Sequence, residues 1–154
     1  MDEAIPKVAD EYDADEKRVA VGGLSMGGFG ALDLALHYPG RFCGVGGHSP
    51  ALCQTGDETA PGAFDDAEDF ERNDVIGAAA SNPAPFVSQP VWIDAGADDP
   101  FQPWDQTFAD ELRSHRADAT IKLDDPGNHD SDYWSAHWSE YMRFYGDSLA
   151  GCPG

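Results

Sequence analysis

The chain has 154 residues, a length that fits one domain, which we place at residues 1–150 with a short tail at 151–154. Its 25% charged and 41% hydrophobic residues are typical of a globular fold, not of a disordered chain. The formal net charge of −20 opposes phosphate backbones and anionic lipid, so we expect neither nucleic acid nor membrane as a partner. Because no signal peptide or apolar run of roughly 18 residues is visible, we expect a cytoplasmic location.

Short apolar runs alternate with segments of helical periodicity. In chain order the predicted elements are helix 4–12, strand 18–24, helix 26–38, strand 43–47, one helix near 67–80, strand 90–96, helix 103–116, strand 119–124 and helix 130–149. Residues 50–89, rich in Pro, Gly and Asp, are predicted as a long excursion between two strands. The alternation predicts an α/β fold, with flanking helices and a parallel sheet of about four strands.

The acidic residues are biased toward Asp, with 21 Asp against 8 Glu, and Lys occurs only 3 times. Their scattered positions are typical of a solvated surface. The bias suits a protein kept soluble in high salt, and a GC-rich genome would shift the composition in the same direction. Both explanations stay open.

The three cysteines form an odd, widely spaced set, which is neither a disulfide framework nor a metal site. Cys43 opens an apolar strand and is predicted to be a small core residue. Cys152 lies in a Gly/Pro-rich tail and is predicted to be an exposed free thiol.

The first strand runs into the sequence Gly23-Leu24-Ser25-Met26-Gly27, a G-x-S-x-G pattern between a strand and a helix. In the nucleophile elbow this pattern lifts a serine hydroxyl above the sheet, and its glycines avoid collisions with the neighbouring strand or helix. Ser25 is therefore a candidate nucleophile. The alternative is a glycine-rich turn that binds an anion or merely reverses the chain.

An acid and a base follow at the ends of later strands. Asp98 and Asp99 come directly after the third strand, where a carboxylate can orient an imidazole. One of the two is expected to cap the next helix and the other to orient the base. His129 follows the fourth strand and is the candidate base. His48 ends the second strand and is expected to line the substrate pocket, or to serve as a second candidate for the base.

The order serine, aspartate, histidine is that of α/β-hydrolases, and each residue falls at the carboxyl end of its own strand. Metal binding is the competing explanation of Asp-rich stretches such as 65–69. That stretch lacks the alternating ligands and central glycine of a calcium loop, so we expect no metal and no cofactor.

The segment from Gly23 to Leu32 resembles the elbow of the Putative esterase family, which includes esterase D (S-formylglutathione hydrolase), feruloyl esterases and mycolyltransferases. The steps Gly96-x-x-Asp99 and Gly127-x-His129 are similar to the acid and base segments of that family. The resemblance implies Ser25 as nucleophile, Asp99 as acid, His129 as base and the Met26 backbone N–H as an oxyanion donor.

The position of the elbow, at residue 25, departs from the family pattern, in which several strands precede it. The chain is therefore expected to resemble the C-terminal half of an α/β-hydrolase, without the loop that gives a second oxyanion donor. Losing one such donor costs roughly 10²–10³ in turnover. The elbow strand is then expected on an exposed sheet edge, which favours a homo-oligomer. Alternatively, the chain is the truncated product of a longer gene, or residues 50–89 rebuild part of the missing wall.

Three functional hypotheses follow. The first is a serine esterase that acts on a small-molecule ester through an acyl-enzyme. The second is a catalytically weak or inactive hydrolase-like module that acts by self-association. The third is an acyltransferase with an alcohol acceptor.

Trp134, five residues after His129, is expected either to pack in the core or to form a wall of an acyl or aryl pocket.

Overall fold

A four-stranded parallel sheet organises residues 3–152, the part of the chain that the computed structural model describes. The elements are α1 (Ala4–Tyr12), β1 (Ala20–Leu24), α2 (Met26–His37), β2 (Gly44–His48), α3 (Ala67–Arg72), α4 (Val75–Ser81), α5 (Ala84–Val87), β3 (Val91–Asp94), α6 (Gln102–Ser114), β4 (Ala119–Lys122) and α7 (Ser131–Ala150). The strands are hydrogen-bonded in the order β1-β2-β3-β4. The predicted α/β fold is confirmed.

The hydrophobic core lies between the sheet and the helices α2, α4, α5 and α6. The inner strands β2 and β3 are buried along their whole length, whereas β1 and β4 are partly exposed. Fully buried side chains at the centre include Leu32, Phe86 and Phe108. Burying each large apolar side chain stabilises the fold by about 1.5–3 kcal/mol.

Helix α7 packs on the opposite face of the sheet, where β1 and β2 carry glycine. A β-carbon added to Gly22 would lie 1.6 Å from the Tyr145 hydroxyl oxygen, and one added to Gly46 would lie 2.1 Å from it. Both distances are far below van der Waals contact. The glycines that dilute these strands therefore make room for the aromatic side chains of α7.

The excursion between β2 and β3 differs from its prediction. In place of one helix near 67–80, α3 and α4 are separate and α5 follows. The break lies at Asn73-Asp74, because Asp74 is the N-cap of α4 and its side chain accepts the Gly77 N–H. A capping carboxylate needs extended backbone, which ends the preceding helix.

The predicted amphipathic helix α1 is present, but none of its residues is buried. Val8 is 54% exposed and Tyr12 is 71% exposed. Among residues 3–152, no helix is both long and apolar enough to cross a membrane.

A disulfide joins Cys43 and Cys152, with Cα atoms 5.2 Å apart, which corrects the prediction that the cysteines form no disulfide framework. Cys43 is buried, as expected, but Cys152 is not a free thiol. The bond joins residues 109 positions apart, linking the start of β2 to the residues that follow α7. Such long-range pairing is invisible to sequence spacing. Within the described residues, Cys53 is the free cysteine.

Breaking this disulfide should destabilise the folded chain by about 2–4 kcal/mol, since the long closed loop restricts the unfolded chain. We expect Cys152→Ser to lower the free energy of unfolding by this amount in urea titrations, and dithiothreitol to do the same to the wild type. Cys53→Ser is the matched control and should change stability little. Coincident unfolding curves for Cys152→Ser and wild type would contradict the expectation.

Candidate active site

Ser25 occupies a sharp turn between β1 and α2 and has φ of 55° and ψ of −119°. Positive φ is costly for a residue with a β-carbon, so the surrounding structure must hold it there. The Ser25 N–H donates to the His48 carbonyl, and the Ser25 carbonyl accepts N–H groups from Gly28 and Ala51. This geometry corresponds to the strained strand-to-helix turn of a nucleophile elbow.

The glycines of the elbow have different roles. A β-carbon at Gly23 would lie 2.4 Å from the Gly27 carbonyl carbon, so the strand and the helix could not approach as they do. A β-carbon at Gly27 would meet no atom within 4 Å. The expected collision therefore exists at Gly23 and is wrong for Gly27.

The structure brings Ser25, His129 and Asp99 into one hydrogen-bonded chain. The Ser25 Oγ lies 2.7 Å from His129 Nε2, and His129 Nδ1 lies 2.8 Å from Asp99 Oδ2. The Asp99 side chain has no exposed surface, whereas the His129 side chain is 20% exposed. The site is thus buried at its acid end and open to substrate at its serine end.

The partners of His129 determine its tautomer. A carboxylate can only accept, so the Nδ1–H donates to Asp99. The neutral ring then presents a lone pair on Nε2, which accepts the hydroxyl proton of Ser25. This is the proton arrangement that a serine nucleophile requires before attack.

Two connected loops hold the acid and the base together. The Ala97 N–H donates to the Asp125 carbonyl at 2.8 Å, and the Asp98 N–H donates to the Gly127 carbonyl at 2.9 Å. Asp99 both orients His129 and accepts the Phe101 N–H through Oδ1 at 2.9 Å. Asp99 is therefore the orienting aspartate, but the expectation that the other one caps the next helix is wrong, because Phe101 is the N-cap of α6 and no side chain makes a capping bond there.

His48 is not part of the open site. Its ring is 3% exposed, and Nδ1 donates to Asp94 at 2.7 Å while Nε2 accepts from the Tyr145 hydroxyl at 2.6 Å. Both ring nitrogens are occupied, so the expectation that His48 lines the pocket or acts as a second base is corrected. Asp94 also accepts from Trp92 and from Tyr141, each at 2.6 Å.

Burial and the charge of Asp94 raise the pKa of Tyr141 and of Tyr145. Both hydroxyls therefore keep their protons and act as donors. The buried network fixes the ends of β2 and β3 directly below the elbow, because the Ser49 N–H also donates to the Asp94 carbonyl.

Trp134 and Phe101 flank the imidazole of His129, each with its ring centroid 5.2 Å away. The Trp134 indole N–H donates to Ser49 Oγ at 3.1 Å, which fixes the orientation of its ring. Trp134, Leu24 and Trp138 line a shallow pocket of about 400 Å³. The imidazole is thus held between two aromatic side chains.

A second, larger cavity lies on the Phe101 side of the triad. Its volume is about 500 Å³, and Met26, next to Ser25, forms part of its wall. The excursion supplies Leu52, Phe64 and Phe70. That residues 50–89 rebuild a wall was an alternative interpretation of the sequence, which did not single out these three side chains. The apolar Phe64 and Phe70 within an acidic stretch were the available signal.

Asp105, on α6, is fully buried, and neither carboxyl oxygen has a hydrogen-bond partner. Burial, followed by the negative charges of Asp99 and Asp94, raises its pKa well above the ordinary value. A neutral carboxylic acid at this position adds no further charge near Asp99. Among residues 3–152, no group of three or more His, Cys, Asp or Glu side chains is arranged to hold a metal ion.

Comparison with solved structures identifies the fold. A ferulic acid esterase superposes with a TM-score of 0.78 over 96% of this chain and 59% of its own, at 21% identity. S-formylglutathione hydrolase from Agrobacterium tumefaciens superposes with a TM-score of 0.69 over 96% of this chain and 55% of its own, at 24% identity. The fold and the Ser–His–Asp triad define a protein of the α/β-hydrolase class.

The chain belongs to the Putative esterase family, whose model matches residues 1–145. It is also 34% identical to S-formylglutathione hydrolase of Bos taurus over 99 residues, which are 61% of this chain and 34% of the bovine protein. The predicted family resemblance is confirmed. The chain spans about a third of the length of this relative and under two thirds of the two structures.

The buried acid Asp105 should make stability depend on pH. As pH rises from the ordinary pKa of Asp to the raised folded-state value, the unfolded chain releases this proton while the folded chain retains it. The free energy of unfolding of the wild type therefore falls as pH rises across that window. Asp105→Asn removes the titration, so the stability of the variant relative to wild type should rise between about pH 4 and pH 7.

Urea unfolding at the two pH values measures this difference. Asp110→Asn is the control, since Asp110 lies on the same helix with its side chain 63% exposed. It should show a much smaller pH-dependent change. A constant difference between Asp105→Asn and wild type at both pH values would show that Asp105 does not titrate as described.

Proposed function

We propose that this chain is a serine carboxylic-ester hydrolase, with Ser25 as nucleophile, His129 as base and Asp99 as orienting acid. The observation that carries the proposal is the hydrogen-bonded chain from Ser25 Oγ through His129 to the buried Asp99. Membership of the Putative esterase family supports the same class of reaction.

In the first half-reaction, Ser25 Oγ attacks the acyl carbon of a small-molecule ester. As the Oγ–C bond forms, the hydroxyl proton moves to His129 Nε2, and Asp99 stabilises the resulting imidazolium. The tetrahedral intermediate collapses when the bond to the leaving alcohol breaks and His129 returns the proton to that oxygen. An acyl-enzyme on Ser25 remains.

The Met26 backbone N–H is the proposed oxyanion donor. It belongs to the first residue of α2, and the first N–H groups of a helix have no acceptor within the helix. The positive end of the helix dipole adds to this stabilisation. In α/β-hydrolases the N–H group directly after the nucleophile is one of the two oxyanion donors, and the other comes from a separate loop.

In the second half-reaction, water takes the place of the alcohol. His129 removes a proton from water, the oxygen attacks the acyl carbon, and the Ser25 Oγ–C bond breaks as the proton returns to Oγ. The exposed edge of His129 leaves space for this water.

Ser25→Ala should lower the turnover of p-nitrophenyl acetate by about 10³-fold or more, because the nucleophile is lost. Asp99→Asn should cause a comparable loss by favouring the wrong tautomer of His129. The control is Ser139→Ala, an exposed serine on α7, which should retain wild-type turnover. Unchanged turnover in Ser25→Ala would refute the proposed mechanism.

A fluorophosphonate probe separates this function from a catalytically weak module. We expect an adduct on Ser25, located by peptide mass spectrometry and absent from Ser25→Ala. A folded chain without any adduct would favour the inactive module. Products formed with a competing alcohol would distinguish transfer from hydrolysis.

We further propose that a second copy of the chain pairs along β1. This strand lies at the edge of the sheet formed by residues 3–152. Because the Ser25 N–H and the Val19 carbonyl bond to β2, the alternate residues Ala20 and Gly22 direct their backbone groups away from it. Unpaired strand edges invite pairing with another chain.

Sedimentation velocity at micromolar concentration should therefore show a concentration-dependent dimer. Ala20→Pro removes one outward N–H without changing a bond to β2, so it should shift the equilibrium toward the monomer. Its melting temperature, compared with wild type, controls for misfolding. A wild-type chain that stays monomeric across the concentration range would contradict pairing along β1.

A further inference from the structure

We infer that the cavity beside Ser25 accepts uncharged, apolar ester groups and that the chain discriminates against anionic esters, including S-formylglutathione. This inference rests on the proposed esterase activity of Ser25. It distinguishes the chain from a relative to which it is similar, because the compound in that relative's name is a thioester that carries two carboxylates and one ammonium group and is therefore a net anion.

The position of the cavity makes it a substrate site for this triad. One wall is Met26, the residue after Ser25, whose side chain is 78% exposed. Another is Phe101, whose ring lies beside His129. An ester with its carbonyl at Ser25 can therefore extend either its acyl group or its alcohol group into this cavity. At about 500 Å³, the cavity is large enough for an aryl or branched alkyl group.

The walls of the cavity are mainly apolar and include four phenylalanine side chains. Phe29, Phe64 and Phe70 form a continuous row of edge-to-face contacts, with centroids 5.9 Å and 5.3 Å apart. Buried Leu52 and Ile76 add aliphatic surface. Apolar walls favour a substrate group that loses little hydration on entry.

The charged side chains that line the cavity are carboxylates. Among the described residues that form it, these are Glu58 and Asp74, and none is Lys or Arg. Glu58 accepts the Gln54 and Thr55 N–H groups at 3.0 Å, and Asp74 accepts the Gly77 N–H at 2.8 Å. Both are therefore held in place by backbone donors, and neither can pair with an anionic substrate.

Cys53, which also lines the cavity, does not alter this polarity. Burial, and then the negative charge of Glu58, raises the pKa of its thiol. A neutral thiol provides no positive charge.

An anionic ester therefore meets two penalties. Its carboxylate must leave water for an apolar space without a cationic partner, which is costly. It must also approach a chain whose formal net charge is −20. A neutral ester of the same shape meets neither penalty.

The test uses pairs of substrates that differ only in charge. One pair, 4-acetoxybenzamide and 4-acetoxybenzoate, carries the difference on the leaving group. The other, the 4-nitrophenyl esters of 4-carbamoylbenzoic and terephthalic acid, carries it on the acyl group. In the pair whose carbamoyl or carboxylate group enters the cavity, we expect kcat/KM of the anionic ester to be at least tenfold lower than that of the neutral ester. S-formylglutathione should be a poorer substrate than the neutral esters.

A matched pair of variants connects this selectivity to the cavity. Ala60 is exposed at the cavity wall, and Ala80 is exposed on α4 outside it. Ala60→Lys should raise the ratio of anionic to neutral kcat/KM several-fold, whereas Ala80→Lys, with the same change in net charge, should leave it within twofold. Thermal unfolding of both variants confirms that they fold.

The outcomes separate the inference from the proposed function. Equal kcat/KM within both pairs, or efficient turnover of S-formylglutathione, would overturn the charge selectivity and leave the esterase proposal intact. If no ester is hydrolysed but the fluorophosphonate labels Ser25, the neutral and the anionic member of each pair are compared as protectants of Ser25 against labelling. Equal protection by the two members overturns the inference. No labelling of Ser25 would instead reject the proposed function.

Discussion

The parallel pairing of the strands is the constraint on which the site depends. The carboxyl ends of parallel strands lie on the same side of a sheet, so the turn after β1 and the loops after β3 and β4 are brought together there. Ser25, Asp99 and His129 lie in these three connections, and a chain of two hydrogen bonds joins them. In an antiparallel sheet, residues following consecutive strands would lie at opposite edges.

Below this edge, a buried polar network stabilises the elbow from inside. Asp94 accepts hydrogen bonds from three side chains, those of His48, Trp92 and Tyr141, so its carboxylate is buried without being unsatisfied. The same residues connect β2 and β3 to α7, and glycines in β1 and β2 allow that helix to approach. The second Asp–His pair is thus a structural contact, although its residue types match those of the open triad.

The distribution of charge links the surface to the proposed substrate selectivity. Most of the excess negative charge lies on solvated acidic residues, but the cavity beside the triad also lacks a cationic residue among its described walls. Family membership therefore indicates the class of reaction. The cavity, formed by residues between 51 and 76 together with Met26, Phe29 and Phe101, bears on the ester that is accepted. Membership of one family does not require a shared substrate.

The sequence by itself determined the strand–helix alternation, the elbow and the three residues that meet in one hydrogen-bonded chain, because these depend on local periodicity and on residue types at strand ends. The tertiary structure alone decided which cysteines pair, that His48 is enclosed, that neither Asp98 nor Asp99 caps α6 and how the excursion forms a cavity. These features depend on contacts between distant segments, such as Cys43 with Cys152. Local sequence patterns carry no information about such distances, since packing sets them only when the whole sheet has assembled.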